Sequence, residues 1–391
     1  MTTTNGLSAV RRATRADIDL ASLRANVQSL AVAAGTSELW AVVKANAYGH
    51  GAVPCAQAAL SAGAHGLCVA LTQEALELRD AGIGAPIMVL SEQPVADIPL
   101  LVRNDVICVA YNAHYIAELA AESERFATQL TVSKRAVHRT RVHLKVDTGM
   151  HRVGVAPTDA VERAKMITSA ASLELHGVMT HLATADDPAQ AATQRQLDEF
   201  RRVLAEIRRV APSLRHVHVA NSAATLRKLL PECTMVRAGI ALYGLNPGDG
   251  VASLARGLRP VMTLRTEVLH VQRLRAGEGV SYGLRTVLSR DTTVATLPIG
   301  YADGIARRAW QTPARILVGG KPRRILGVVT MDQLMVDCED DTVTIGDEAV
   351  IFGSQAEAAV RVEDWATALD TITYEVVCAV TARVPRHYSE A

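Results

Sequence analysis

Lys44 closes the apolar run Leu39–Lys44 and leads straight into Ala45-Asn46-Ala47-Tyr48-Gly49-His50-Gly51. A lysine amine can act as a nucleophile and join a carbonyl compound through an imine, once its surroundings favour the neutral form. The plain alternative is a solvated surface lysine. Further along, Asn221-Ser222 follows one apolar run, and Arg237-Ala238-Gly239-Ile240 lies in the next. The Ser222 hydroxyl and the backbone N–H groups of Gly239 and Ile240 suit a phosphate, and glycine permits close approach. Two more runs end at Asp147-Thr148-Gly149-Met150-His151-Arg152 and at His181. Taken singly, His181 reads as a satisfied core histidine and Arg237 as an ion-pair partner. Lys145 with Asp147 reads as a strand-edge pair, and Tyr282 as a packing residue. The other histidines, His50, His65 and His151 among them, lack ligand spacing, so no metal is expected.

These side chains need elements to bring them together. From about Glu38 to Gly244, short apolar runs alternate with helical patterns. The strand candidates are Leu39–Lys44, Gly66–Ala70, Ile87–Leu90, Val106–Ala110, Arg141–Val146, Leu175–His181, Val217–Ala220 and Val236–Leu242. Several are apolar on both alternating faces, as strands covered on both sides should be. Between them, Glu74–Asp80 and Thr193–Val210 are amphipathic, with Phe200, Leu204 and Ile207 on one face. An α/β class with a (β/α)8 TIM-like barrel is expected, and the strand count favours it over a doubly wound sheet. In such barrels the reacting groups sit at the C-terminal ends of the strands, and the loops after strands seven and eight hold phosphate. A lysine at that mouth beside a phosphate cradle points to pyridoxal 5'-phosphate (PLP). After about Pro260 the pattern turns to short strands separated by turn residues, a smaller, mostly β domain whose one helical stretch is Val362–Leu369. The expected domains are a PLP-binding barrel over 16–256 and a β domain over 257–391. Ala16–Leu20 is a possible strand of the β domain, and residues 1–14 are expected to fray.

The whole chain narrows the function classes. Its 391 residues are 49% hydrophobic and 21% charged, with a net charge of +1. No basic field is available for nucleic acid. No apolar stretch is long enough to span a membrane, and MTTTNGLSAVRR lacks the apolar core of a signal peptide. Cys55, Cys68, Cys108, Cys233, Cys338 and Cys378 are scattered and read as reduced thiols. A cytoplasmic setting is expected.

AVVKANAYGHG resembles the PLP-lysine signature of alanine racemases. HLKVDTGMHRVG, THLATAD, HVANSAAT, VRAGIALYG, VSYG, LPIGYADG, TMDQLMVD and YEVVCAVTARVPR also resemble that family, in family order from about residue 16 to residue 387. The resemblance implies a PLP barrel with a C-terminal β domain, working as a head-to-tail homodimer on alanine. It implies that Lys44 holds the cofactor and is one base, and that Tyr282 is the other, reaching the neighbouring subunit's site. Tyr48, Ser222, Gly239, Ile240 and Tyr374 would surround the phosphate, near Asn221. Arg237 would face the pyridine nitrogen, buttressed by His218. Arg152 would contact the cofactor's phenolic oxygen and the substrate carboxylate, and His181 would hydrogen-bond the partner's Tyr282. Met331 and Asp332 of the partner subunit would close the substrate end, and Tyr301 would narrow the entrance. Lys145 matches a position often carbamylated in the family. Two departures stand out: Thr330 where many members carry cysteine, and Ala382 where serine is frequent.

Racemisation takes the α-proton from one face and returns one to the other, so two groups on opposite sides are needed. An arginine at the pyridine nitrogen donates hydrogen bonds without acting as an acid. Three other readings remain. They are a racemase of other or broader range (serine, basic amino acids), a PLP-barrel decarboxylase, and a non-catalytic PLP-binding protein. Arg237 speaks against the second, and the β domain with Tyr282 against the third.

Overall fold

The computed structural model describes residues 12–132, 139–229 and 232–390. MTTTNGLSAVR lies outside the described residues. The chain forms two compact units: Ser22–Arg259, and the segments on either side, up to Ala21 and from Pro260.

Ser22–Arg259 is the expected barrel. Its parallel strands are β1 (Glu38–Val42), β2 (Gly66–Val69), β3 (Ile87–Val89), β4 (Val106–Ala110), β5 (Thr140–Lys145), β6 (Leu173–Met179), β7 (His216–His218) and β8 (Met235–Ala238). β2, β3 and β4 are buried at every residue, as strands between an inner core and outer helices must be. Ladders join β7 through β6, β5, β4, β3 and β2 to β1, and β1 to β8. Between β7 and β8 the ladder gives way to a few bonds. Thr234 N–H donates to Val217 O (2.9 Å) and Arg237 N–H to Ala220 O (3.0 Å). Val217 N–H donates to the Thr234 hydroxyl (3.0 Å). The helix Ala192–Val210 buries Leu197, Phe200, Val203, Leu204 and Ile207, the stripe its 3.6-residue period predicts.

The other unit is mostly β. Arg15–Asp19 pairs antiparallel with Met262–Glu267 and parallel with Arg386–Ser389. The sheet continues through Glu348–Gln355, Arg315–Val318, Lys321–Leu326, Leu334–Glu339, Thr292–Leu297 and His270–Leu274. Gly279–Val280 pairs with Thr286–Val287 as a separate hairpin, and Val280, Leu288, Val294 and Leu326 form a core cluster under it. Two expectations change here. Thr14 is no frayed end: it is fully buried, and its hydroxyl bonds Thr266 Oγ1 (2.9 Å) and Pro298 O (2.7 Å). A second helix, Thr373–Cys378, follows Val362–Ala368. Met262–Glu267 forms a strand of its own before His270–Leu274.

Candidate active site

Strand β1 stops at Val42, so Lys44 lies just past the strand, at the head of an unusual turn. Ala45, Asn46, Ala47 and Tyr48 all have φ between 52° and 54°. Left-handed backbone costs L-residues roughly 1–2 kcal/mol each, so other bonds must offset four in succession. Glu74 supplies the largest tie. Its carboxylate accepts from Ala45 N–H (2.7 Å), Ala70 N–H (2.7 Å) and Leu71 N–H (3.1 Å). Asn46 Oδ1 accepts from Ala52 N–H (2.8 Å), and Gly49 N–H donates to Ala45 O (3.0 Å). The turn buries Tyr48, whose ring meets that of Tyr243 at 5.1 Å between centroids.

Beside it stand the segments after β7 and β8. Asn221 caps the short helix Ser222–Leu226, its side chain accepting from Ala224 N–H (3.0 Å). The Ser222 hydroxyl accepts from Gly239 N–H (2.8 Å) and Ala241 N–H (3.3 Å). A Cβ added at Gly239 would lie 2.5 Å from Tyr48 Oη, so only glycine leaves this cradle open. Ile240 is fully buried behind it.

Arg237 is buried, and among the described residues no carboxylate pairs with it. It donates instead to neutral acceptors: His218 Nδ1 (2.6 Å), Thr180 O (3.0 Å), His181 Nδ1 (3.3 Å) and Val219 O (3.3 Å). Burial pulls its pKa down to about 10, which leaves it charged at neutral pH. Burial, followed by the charge of Arg237, holds His181 and His218 well below the ordinary histidine range, so both are neutral. Lys145, at the end of β5, falls to about 8 through burial and then the charges of Arg237, Arg152 and Lys44. Lys145, Arg152 and His181 line one small cleft together with Asp147 and Thr180. Asp147 Oδ1 gathers the N–H groups of Gly149, Met150 and His151 at 3.0 Å each and so shapes the loop that carries Arg152.

The β unit presents the remaining residues. Tyr282 is 71% exposed between backbone outliers: Ser281 (φ 64°, ψ −170°), Gly283 (φ 73°) and Leu284 (φ 47°). Ser281 Oγ donates to Val328 O (2.6 Å). Met331 and Tyr301 are also exposed, and their loops touch: Tyr301 N–H donates to Thr330 O (3.0 Å) and Ala302 N–H to Met331 O (3.1 Å). Asp332 pairs with Arg383 (2.7 Å). Thr330, the departure from cysteine, closes its own loop by donating from Oγ1 to Gln333 O (2.8 Å). Tyr374 lies half-buried on Thr373–Cys378.

The barrel thus groups Lys44, Tyr48, Lys145, Arg152, His181, His218, Asn221, Ser222, Arg237, Gly239 and Ile240 at the C-terminal ends of its strands. The β unit carries Tyr282, Tyr301, Met331, Asp332 and Tyr374. Sequence reasoning missed Glu74, His143 and Thr180. Among the described residues no group of His, Cys, Asp and Glu is placed to hold a metal.

A (β/α)8 barrel with a lysine amine, hydroxyls and a buried arginine at its mouth, in a chain that also forms a β unit, defines a class of two-domain barrel enzymes. Known proteins say which. Residues 18–247 match the family described as alanine racemase, N-terminal domain, and residues 261–388 match the alanine racemase, C-terminal domain. The alanine racemase of Thermobifida fusca is 40% identical over 379 residues, covering 96% of this chain and 98% of that one. The solved alanine racemase from D-cycloserine-producing Streptomyces lavendulae superposes with a TM-score of 0.91 at 40% identity, covering 98% of each chain. The Bacillus anthracis alanine racemase with bound L-Ala-P gives 0.88 at 35% identity, covering 97% of this chain and 96% of that one. The chain belongs to the alanine racemase family; it is an isomerase.

Proposed function

We propose that this enzyme interconverts L- and D-alanine with PLP bound on Lys44, and that two subunits share each site. The supporting observation is the grouping of Lys44, the Tyr48–Ser222–Gly239 cradle and Arg237 at one barrel mouth. These residues fit the cofactor. The space that a Cβ at Gly239 would fill is bordered by the Tyr48 hydroxyl, a donor suited to a phosphate. When bound, PLP draws electrons from the α-carbon of an attached amino acid and acidifies its α-hydrogen.

Tyr48, Ser222, Gly239, Ile240 and Tyr374 hold the phosphate, and Asn221 fixes the turn that carries Ser222. Arg237 has donors only, so it would offer an N–H to the cofactor's ring nitrogen and would not serve as an acid there. Arg152 holds the substrate carboxylate. The Lys145 amine, with a pKa of about 8, has a neutral fraction able to attack carbon dioxide. Its nitrogen lone pair bonds the carbon, an N–H proton leaves to solvent, and an anionic carbamate remains near Arg152.

Lys44 moves the proton on one face and Tyr282 of the partner subunit moves it on the other. A free tyrosine, with a pKa of about 10, needs help to act as a base. Arg237 donates to His181 Nδ1, so neutral His181 keeps its proton on Nε2. That N–H is a donor for the tyrosine oxygen and favours its ionised form. Met331 and Asp332 of the partner subunit close the substrate end, and Tyr301 narrows the entrance. The homodimer works in the cytoplasm, supplying D-alanine for peptidoglycan or serving alanine catabolism.

Two measurements test this. Borohydride reduction of the holoenzyme and peptide mapping should label Lys44. Chiral analysis against a panel of L- and D-amino acids should show alanine turned over fastest. A label elsewhere overturns the cofactor assignment, and a faster serine or basic amino acid overturns the substrate.

A further inference from the structure

Behind His218 the barrel holds a chain of imidazoles that the proposed mechanism does not use. His218 Nε2 lies 2.7 Å from His143 Nδ1, and His143 Nε2 lies 3.0 Å from His176 Nδ1. The rings come from β7, β5 and β6, and all three are buried. Room for the middle ring is built in: a Cβ at Gly177 would sit 2.7 Å from the His143 imidazole. Beyond His176 the line turns edge-on to His216, at 4.7 Å between centroids and 64° between planes. The nitrogens face one another in pairs and do not converge on a point, consistent with the lack of a metal cluster among the described residues.

The direction of hydrogen bonding in this chain is fixed at one end. A guanidinium can only donate, so His218 Nδ1 must accept from Arg237. Burial keeps each ring neutral: His143 and His218 fall well below the ordinary range and His176 falls to about 3. A neutral ring has one N–H. His218 therefore carries it on Nε2 and donates to His143 Nδ1. His143 then carries its own on Nε2 and donates to His176 Nδ1. If His143 offered no acceptor, a buried His218 N–H would be left unmet, at a cost of about 1–3 kcal/mol. The ring could then escape that cost by turning away and withdrawing Nδ1 from Arg237.

We propose that His143, supported by His176, is a positioning residue for Arg237: it anchors His218 so that Nδ1 faces the guanidinium and holds the fork in place. The inference rests on the proposed placing of Arg237 at the pyridine nitrogen. It extends that reading to two histidines buried behind His218.

The test uses the holoenzyme labelled with ¹⁵N-histidine and long-range ¹H–¹⁵N correlation spectra. In the wild type, His143, His176 and His218 should all appear as neutral rings with the proton on Nε2, above and below the free imidazole pKa of about 6.5. His143→Leu should move the hydrogen-bonded His218 Nδ1 signal and lower kcat by on the order of 100-fold, with KM for alanine little changed. His143→Asn keeps an acceptor oxygen near the Nδ1 position and should recover most of both signals. If His143→Leu does not fold, Gly177→Ala, which pushes the ring aside while keeping every histidine, takes its place. The proposal is overturned if any of the three rings carries its proton on Nδ1. It is also overturned if His143→Leu and His143→Asn behave alike in spectrum and kcat. Loss of the racemase reading would show separately, as a wild-type protein that does not exchange the α-proton of alanine.

Discussion

Tyr282 stands out on its turn with almost nothing of its own chain around the ring (71% exposed), so removing its hydroxyl tests chemistry more than packing. Tyr282→Phe should slow racemisation severely in both directions, because both cross the same two proton transfers. Partial reactions should differ: α-deuterium wash-in should persist better from D-alanine than from L-alanine. Equal losses would reduce the residue to a positioning role. Lys145 gives a pH-dependent outcome. Its pKa of about 8 means that it is mostly charged at pH 6 and increasingly neutral as the pH rises through 8. Added bicarbonate should therefore lower KM for alanine at pH 8 and do little at pH 6, and intact mass should gain one carboxyl group only at the higher pH. A KM indifferent to bicarbonate at both values would remove the carbamate from the site. The sequence marked the positions of Lys44 and Arg237, because each lies at or just past an apolar strand that runs into a turn containing glycine. His143 was not marked, because its meaning comes from a ring 75 residues away, and no local pattern records that meeting.

At the scale of elements, the eight barrel strands were legible from their length and Val/Ile/Leu content, within a residue or two at most ends. The turn after Lys44 was not. Ala45, Ala47 and Tyr48 carry no left-handed signal, and the conformation is held from outside by Glu74. Met262–Glu267 was hidden by its polar alternation, and six-residue Thr373–Cys378 is too short to show a helical period. The turn at Tyr282 supplies the test. Ser281 occupies backbone space that is almost glycine's alone, at a cost of about 1–3 kcal/mol, and its hydroxyl is tied to Val328. Ser281→Ala loses the tie and keeps the strain, so its urea midpoint should drop. Ser281→Gly loses the tie and the strain together, so its midpoint should stay near wild type while activity still falls. Equal midpoints for the two variants would mean that the conformation costs nothing.

At the scale of the molecule, exposed Tyr282, Leu284, Val287 and Met331 form an unusual share of large apolar surface for two short segments. The proposed partner subunit would cover them. Mixing inactive Lys44→Ala with inactive Tyr282→Phe protein should recover part of the activity, since one hybrid site would hold both bases. No recovery, with subunit exchange demonstrated, would confine each site to one chain. The barrel itself is weakest between β7 and β8, where a few bonds replace a ladder, and that seam carries Ser222, Arg237 and Gly239. Structures open first where backbone pairing is thinnest. Amides from Ala220 to Ser222 and from Arg237 to Gly239 should thus exchange with deuterated water sooner than those of β4 and β5. Saturating cofactor should slow them most, because a ligand that needs the closed state suppresses every opening that breaks its site. Uniform protection around all eight strands would mean a barrel with no weak side; otherwise, shedding the cofactor and the first unzipping of the barrel are a single event.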